Sequence, residues 1–326
     1  MIYTYNELLG SINQRLSTLD ILKEPKRLYA PIEYTLSLGG KRLRPVLCLL
    51  GCNLFSNEVK MAIEPAIGLE IFHNFTLLHD DIMDKADIRR GKPTVYRKWN
   101  ESIAILSGDE MHNLSVCQML KVPAKSMEKV LGLFIKMVSD VCEGQQYDMD
   151  FEDMEEVKME EYLKMIYLKT SSLITTSLLI GSVIGEASKE QLLTIQTFGE
   201  NLGQAFQLRD DFLDVYGDPS TFGKNIGGDI LCNKKTYLLI RALELSSMQE
   251  KERLSTFLND TKQSKEEKIR NVTNFFTHIG VKEDCTLAIE RYTQKALSAL
   301  NNLAGIEENR KAELKNLAQQ MLVRSN

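Results

Sequence analysis

Residues 61–84 read MAIEPAIGLEIFHNFTLLHDDIMD. Met61, Ile63, Ile67, Leu69, Phe72, Phe75 and Leu78 recur there at steps dominated by three and four, the period of one apolar face of a helix. The apolar pattern ends at a cluster of acids, Asp80, Asp81 and Asp84. The same periodicity covers residues 3–22, 42–55, 100–120, 124–144, 160–184, 189–216, 235–247, 264–279, 283–303 and 307–323. No alternating β-branched run bounded by turn residues occurs, so no sheet is expected. The sequence therefore predicts an all-α fold, a bundle of about ten or more helices.

Punctuation is sparse. Gly39-Gly40 separate two segments, Arg89-Arg90-Gly91-Lys92-Pro93 read as a charged loop, and 217–235 is the longest non-periodic stretch. No Ser/Pro-rich linker divides the chain, which predicts one domain over residues 1–326. The acidic cluster 152–161 reads as a solvated loop or helix start.

Composition narrows the function. A chain of 326 residues, 43% hydrophobic and 26% charged, can bury a large core and is neither disordered nor collagen-like. Its 40 Lys+Arg against 45 Asp+Glu leave a net charge of −5, which argues against a nucleic-acid partner. The six cysteines form no CxxC pair and no zinc spacing, so reduced thiols and a cytoplasmic protein are expected. The first 22 residues lack the pattern of a signal peptide. The most apolar stretch, 173–185, is shorter than the ~20 residues a bilayer span needs, so no stable membrane insertion is expected.

One internal echo carries the chemistry. LLHDDIMD at 77–84 is matched by QLRDDFLD at 207–214, so Asp80, Asp81 and Asp84 are mirrored by Asp210, Asp211 and Asp214. With 17 aspartates in the chain, a single DDxxD is expected by chance about 0.05 times. On a helix, i and i+4 share a face, so Asp80 projects with Asp84 and Asp210 with Asp214. Clustered carboxylates repel unless a cation neutralises them, and all-oxygen sets suit Mg²⁺ sharing its coordination with substrate phosphates. The spacing of a calcium-binding EF-hand loop is absent. Two such helix ends facing one another would make an acidic mouth over an apolar interior. Cationic residues occur alongside: Lys41 and Arg44 beside the Gly39-Gly40 turn, Arg89-Arg90 after the first acid motif, then Lys169-Thr170, Lys224 and Lys234.

In order along the chain, GGKRLRP, HDDIMD, RRGKPT, EGQQYD, KT, FQLRDDFLD, GKNIGGDI and NKKT run from Gly39 to about Tyr237. This series resembles the trans-isoprenyl diphosphate synthases, the polyprenyl synthetase family that includes farnesyl and geranylgeranyl diphosphate synthases. The resemblance implies the all-α isoprenoid synthase type I fold around a central apolar cavity, and homodimers. It also implies a Mg²⁺-dependent head-to-tail condensation of isopentenyl diphosphate with an allylic diphosphate. On this resemblance Asp80, Asp81, Asp84, Asp210, Asp211 and Asp214 are the metal ligands, for about three Mg²⁺ per active site. Arg89, Lys169, Thr170, Gln207, Lys224 and Lys234 match contacts to the allylic diphosphate, and Gln145 and Asp148 line that side. Lys41, Arg44, His73 and Arg90 match the isopentenyl diphosphate site. Asn233 stands where many members carry Gly.

The implied chemistry is ionisation of the allylic diphosphate, attack of the isopentenyl double bond on the cation, and proton loss to the released pyrophosphate. Asp80, Asp84, Asp210, Arg89, Lys169 and Lys234 are the residues expected to drive it, and 217–235 is expected to close as a lid. Phe75 lies five residues before Asp80, ~7.5 Å along the helix, with Phe72 about a turn beyond. In the family an aromatic at that place resembles a floor to chain growth, so a C15–C20 product is expected, leaning to geranylgeranyl diphosphate. The alternatives are a longer-chain synthase, a type I terpene cyclase and a non-catalytic partner subunit. DDFLD and the clamp at Lys41 and Arg44 disfavour the cyclase, and the retained aspartates disfavour the inert subunit.

Overall fold

The computed structural model describes residues 2–218 and 226–323. Helix α1 (Tyr5–Ser17) starts at a capping box, in which the Thr4 N–H donates to the Glu7 carboxylate at 2.8 Å and the Thr4 hydroxyl accepts from the Glu7 N–H. Helix α2 (Lys26–Ser37) was not expected from the periodicity. Pro25 and Pro31 obscure a stripe that buries Pro31, Ile32, Thr35 and Leu36. Helix α3 (Leu43–Phe55) is buried over nearly its whole length. Helix α4 (Ile63–Met83) carries the opening stretch and buries residues on most of its faces as far as Asp81, where burial gives way to the exposed Met83 and Asp84.

The expected charged loop folds instead as a two-stranded hairpin, β1 (Ile88–Arg89) with β2 (Lys92–Pro93), Ile88 opposite Pro93 and Arg89 opposite Lys92. Arg90 and Gly91 both take positive φ, +52° and +72°, the turn that matches the twist of paired strands. After α5 (Val95–Lys98) come α6 (Glu101–Met119) and α7 (Met127–Asp153), which runs past the expected end at 144. Residues 152–156 are exposed, as the acidic cluster suggested. Helix α8 (Met159–Ile166), a π-helical turn (Tyr167–Ser171) and α9 (Ser172–Ile184) follow without a break. This 26-residue run is long and apolar enough to cross a membrane by length and composition, contrary to expectation. Burial inside the protein takes up 89% of its most apolar window, so its apolar surface is used in packing.

Helix α10 (Lys189–Tyr216) carries the second acid motif. Then come α11 (Gly228–Leu231), α12 (Tyr237–Leu245), α13 (Met248–Asn259), α14 (Lys265–His278), α15 (Val281–Asn301) and α16 (Glu308–Val323). Helix α13 escaped the periodicity because it buries only Leu254, although its Ser247–Glu250 capping box is readable in the sequence.

By contacts the chain forms two compact units, each drawn from three stretches: Met1–Lys136, Thr176–Gln196 and Leu303–Glu313 in the first, Met137–Thr175, Thr197–Asn302 and Leu314–Asn326 in the second. In the first unit α4 lies along α6 and α3. Helices α3 and α9 touch backbone to backbone, since a Cβ on Gly181 would fall 1.8 Å from the Cys48 carbonyl oxygen. The second unit centres on Tyr162, Leu208, Leu238, Val272, Cys285 and neighbours from α8, α10, α12, α14 and α15. Cys48, Cys52 and Cys285 are buried, while Cys117, Cys142 and Cys232 are exposed; these thiols are free.

Candidate active site

The acid motif of the first unit lies where α4 ends. The Asp84 N–H donates to the Asp80 carbonyl at 2.8 Å, so Asp84 caps the helix and its side chain is exposed. Asp80 is half-buried. Asp81 turns inward, 4% exposed, and accepts from Arg89 Nε at 2.7 Å, while Arg89 Nη2 reaches Asp80 at 3.4 Å. Burial pushes the Asp81 carboxyl up to about 6, Asp80 and Asp84 add to the rise, and Arg89 opposes it. Asp81, expected as a metal ligand, is thus taken up by the protein, and Asp80 and Asp84 are the better exposed donors.

The hairpin explains how adjacent arginines serve different places. Arg89, on a strand, meets the acid motif. Arg90, in the left-handed turn, donates through Nη1 to the Gly39 carbonyl and to Asn74 Oδ1 at 3.3 Å. Gly39 and Gly40 take φ of +78° and +137°, which favours glycine at both, and a Cβ on Gly40 would press on the Arg90 guanidinium at 3.0 Å. Arg42, itself at φ +49°, is buried and donates to Glu70 Oε1 at 2.5 Å and to the Leu36 carbonyl at 2.8 Å. Arg44 Nη1 lies 3.3 Å from His73 Nε2. A guanidinium only donates, so Nε2 is the acceptor and the imidazole proton sits on Nδ1. Burial holds His73 well below its ordinary pKa, and Arg44, Arg90, Arg89 and Arg42 lower it further, so it is neutral. The Lys41 side chain is exposed.

One turn and more below the acids, Phe72 and Phe75 belong to an aromatic cluster. Phe72 is fully buried, 5.4 Å from Phe75 and 5.5 Å from Phe134 between ring centres, and His112 stands 5.6 Å from Phe75.

In the second unit the middle aspartate again turns inward. Asp211 is 5% exposed and accepts from the Tyr162 hydroxyl, from Gln207 Nε2 at 3.0 Å and from the Tyr237 N–H at 3.3 Å. Burial, aided by Asp229, raises its pKa to about 7 against the pull of Tyr162, Gln207 and Lys234. Asp210 and Asp214 remain half-buried, and Asp214 Oδ2 accepts the Asp229 N–H at 3.0 Å. Gln207 in turn accepts from Thr170 Oγ1 at 2.9 Å. Of the residues expected at the allylic diphosphate, Thr170 is thus joined to Gln207, and Lys169 and Lys234 are brought together by Asp148. Lys169 Nζ lies 2.6 Å and Lys234 Nζ 3.3 Å from Asp148 Oδ2. Burial raises the Asp148 carboxyl, but Lys234 and Lys169 outweigh it and hold it below the usual range. Gln145 is half-buried, and Lys224 lies outside the described residues, as does much of the expected lid.

The π-turn presents Lys169 and Thr170. Such turns recur at functional sites because one extra residue re-aims the side chains. Gly144 on α7 admits it: a Cβ there would stand 2.3 Å from the Lys169 nitrogen. Asn233 takes φ +54°, the left-handed region that Gly and Asn tolerate best, which accounts for the departure noted in the sequence. Sequence reasoning missed Glu70, Asn74 and Tyr162. The first two were detectable as polar residues on an otherwise apolar helix.

Among the described residues no three acids, histidines or cysteines converge on a ready-made metal cage. That suits Mg²⁺, which binds through one or two carboxylates and completes its shell with water and substrate phosphate. The half-buried or exposed pairs Asp80 with Asp84 and Asp210 with Asp214 are hard-oxygen donors of that kind.

The chain is 35% identical to a geranylgeranyl diphosphate synthase of Sulfolobus acidocaldarius, covering 97% of this chain and 96% of that one. A crystal structure of a geranylgeranyl pyrophosphate synthase superposes with a TM-score of 0.92 at 40% identity, covering 100% of both chains. That of a geranylgeranyl pyrophosphate synthase from Corynebacterium glutamicum, complexed with isoprenyl diphosphate and magnesium, superposes at 0.84 with 27% identity over 98% of this chain and 97% of that one. The sequence profile of the polyprenyl synthetases matches residues 25–276, a span that takes in both acid motifs and every cationic residue described above. The chain belongs to the polyprenyl synthetase family.

Proposed function

We propose that this protein is a short-chain trans-prenyltransferase that condenses isopentenyl diphosphate with dimethylallyl, geranyl or farnesyl diphosphate, and that its product is geranylgeranyl diphosphate. The observation that carries the reading is a built cationic cluster, Arg42, Arg44, Arg89 and Arg90 around a neutral His73, beside an acid motif. An enzyme that merely ionises one diphosphate has no use for a second anion clamp; a condensing enzyme needs it. The relatives named as geranylgeranyl diphosphate synthases support the product length.

In this reading Asp80, Asp84, Asp210 and Asp214 are the carboxylates that would hold the Mg²⁺, about three ions. When bound, the metal supplies positive charge to the leaving group. Arg89, Lys169 and Lys234 stabilise the same developing charge, with Thr170 and Gln207 orienting the diphosphate. Lys41, Arg44 and Arg90 anchor isopentenyl diphosphate and His73 steadies Arg44, so bond formation is mainly a matter of positioning. The proton leaves with the released pyrophosphate. Phe75, backed by Phe72, ends chain growth. We read residues 1–326 as one domain, which the single family match at 25–276, covering parts of both units, supports. A homodimer follows from the same resemblance, and light scattering of the purified protein tests its mass; a cytoplasmic location follows from the unpaired cysteine pattern.

The test is incubation of the protein with Mg²⁺, labelled isopentenyl diphosphate and each allylic primer in turn. A C20 product that vanishes with chelator supports the reading. A metal-loaded protein that adds no five-carbon unit overturns it, and a product well beyond C20 removes the assigned length.

A further inference from the structure

Glu70 is a carboxylate 2% exposed in the middle of a helix that is otherwise apolar at its neighbouring positions. A buried charge on such a helix is costly unless paired, so its partners show what it is for. Glu70 Oε1 accepts from Arg42 Nη1 at 2.5 Å and from Asn74 Nδ2 at 2.9 Å. The Asn74 amide also donates to the Glu70 carbonyl at 2.8 Å.

Each bond dictates a geometry elsewhere. Arg42 is the residue before α3 and takes a left-handed conformation that a non-glycine residue holds only when its surroundings over-determine it. Its bonds to Glu70 and to the Leu36 carbonyl do so, and Lys41 and Arg44 flank it along the chain. Asn74 is the second arm. Because an ionised carboxylate can only accept, the amide nitrogen must face Glu70 and the amide oxygen must face away. That oxygen meets Arg90 Nη1 at 3.3 Å, and Arg90 in turn is tied to the Gly39 carbonyl. A guanidinium cannot use an amide nitrogen, so Glu70 sets the only orientation of Asn74 that holds Arg90.

We infer that Glu70 and Asn74 are positioning residues for the isopentenyl diphosphate clamp, one buried carboxylate fixing the Lys41–Arg44 loop through Arg42 and Arg90 through Asn74. This rests on the assignment of those cations to isopentenyl diphosphate made above. Glu70 and Asn74 are 2% and 0% exposed, so they act through Arg42 and Arg90 and not by contact with substrate.

Two variants test it. Asn74→Ala removes the arm to Arg90 and leaves the Arg42–Glu70 pair. Glu70→Gln keeps the shape and removes the charge that orders both arms. Steady-state kinetics is run with each substrate varied, alongside calorimetric titration of isopentenyl diphosphate alone and a thermal unfolding scan. In Asn74→Ala the KM and dissociation constant for isopentenyl diphosphate are expected to rise about tenfold, with the KM for the allylic substrate within about twofold of wild type. Glu70→Gln is expected to show a larger rise. A folded Asn74→Ala protein that binds isopentenyl diphosphate as wild type does overturns the inference, as do equal losses for both substrates. Should Glu70→Gln fail to fold, Asn74→Ala alone decides. A wild type that binds isopentenyl diphosphate but never extends a primer refutes the proposed reaction, while the binding ratio still decides the positioning role.

Discussion

Replacing Gly144 by alanine separates the packing of the π-turn from the chemistry of its side chains. A Cβ at 144 would lie 2.3 Å from the Lys169 nitrogen and 2.7 Å from its Cα, distances real Cβ atoms do not reach. The obstacle is backbone, so no rotamer change relieves it. Either α7 or the π-turn must move by about 0.7 Å or more, the least that restores a tolerable contact. Alanine in a helix interior is favoured over glycine by about 1 kcal/mol, and overpacking a tight contact costs about 1–3 kcal/mol, so the balance is a loss of up to about 2 kcal/mol. That lowers Tm by a few degrees. Activity suffers more than stability, because the displaced segment carries Lys169, seated 2.6 Å from Asp148, and Thr170, seated 2.9 Å from Gln207. Misplacement on the scale of an ångström costs on the order of a hundredfold in turnover. The assay is kinetics with each substrate varied, plus a thermal scan. The expected result is a fall in kcat and a raised KM for the allylic diphosphate, with the KM for isopentenyl diphosphate unchanged. Wild-type kinetics together with a wild-type Tm would refute the reasoning, since the close approach would then have no consequence.

Phe75→Ala is expected to shift the product by one or more five-carbon units, read by chromatography of the dephosphorylated alcohols. Phe72, fully buried against Phe75 and Phe134, is the poorer probe, because its truncation costs about 3–5 kcal/mol of stability. His73→Gln keeps an acceptor for Arg44, so the KM for isopentenyl diphosphate at neutral pH is expected to stay within about threefold, whereas His73→Ala raises it. Burial and four arginines hold the folded His73 pKa below 6.5, so as pH falls through 6.5 the unfolded chain takes up a proton the folded one refuses. Urea titrations should show wild type losing stability relative to His73→Gln between pH 7 and 5, by at most about 1.4 kcal/mol per pH unit; parallel curves would contradict a neutral His73. Asp284 accepts two bonds from Arg241, at 2.9 Å each, which hold its carboxyl below the usual range despite partial burial. That stability is present above the unfolded value near 3.9 and lost as pH falls through the lower folded value. Asp284→Asn should cost on the order of 1 kcal/mol at pH 7 and progressively less below about pH 4, and a pH-independent difference would speak against the pair.

Local order carried much of this protein in plain view. The three- and four-residue period marked most long helices, because each buries a face against neighbours and that need is written into the spacing of its apolar residues. The duplicated DDxxD, with glycine and basic residues in fixed order beside it, announced diphosphate chemistry, because anions and divalent ions require charges of known sign at set intervals. What the spacing left open was which acid of each triad faces outward. Tertiary packing turned Asp81 onto Arg89 and Asp211 onto Tyr162, Gln207 and the Tyr237 backbone, while their neighbours stayed closer to the surface. It also made a hairpin of a charged loop, sending Arg89 and Arg90 to separate partners, and hid α2 behind two prolines. Glu70 acquired its meaning only when Arg42, 28 residues away, arrived against it. Periodicity records what a residue prefers to be near; only the folded chain decides which distant group meets that preference, because the cost of an unpaired buried charge is settled by residues that no local window contains.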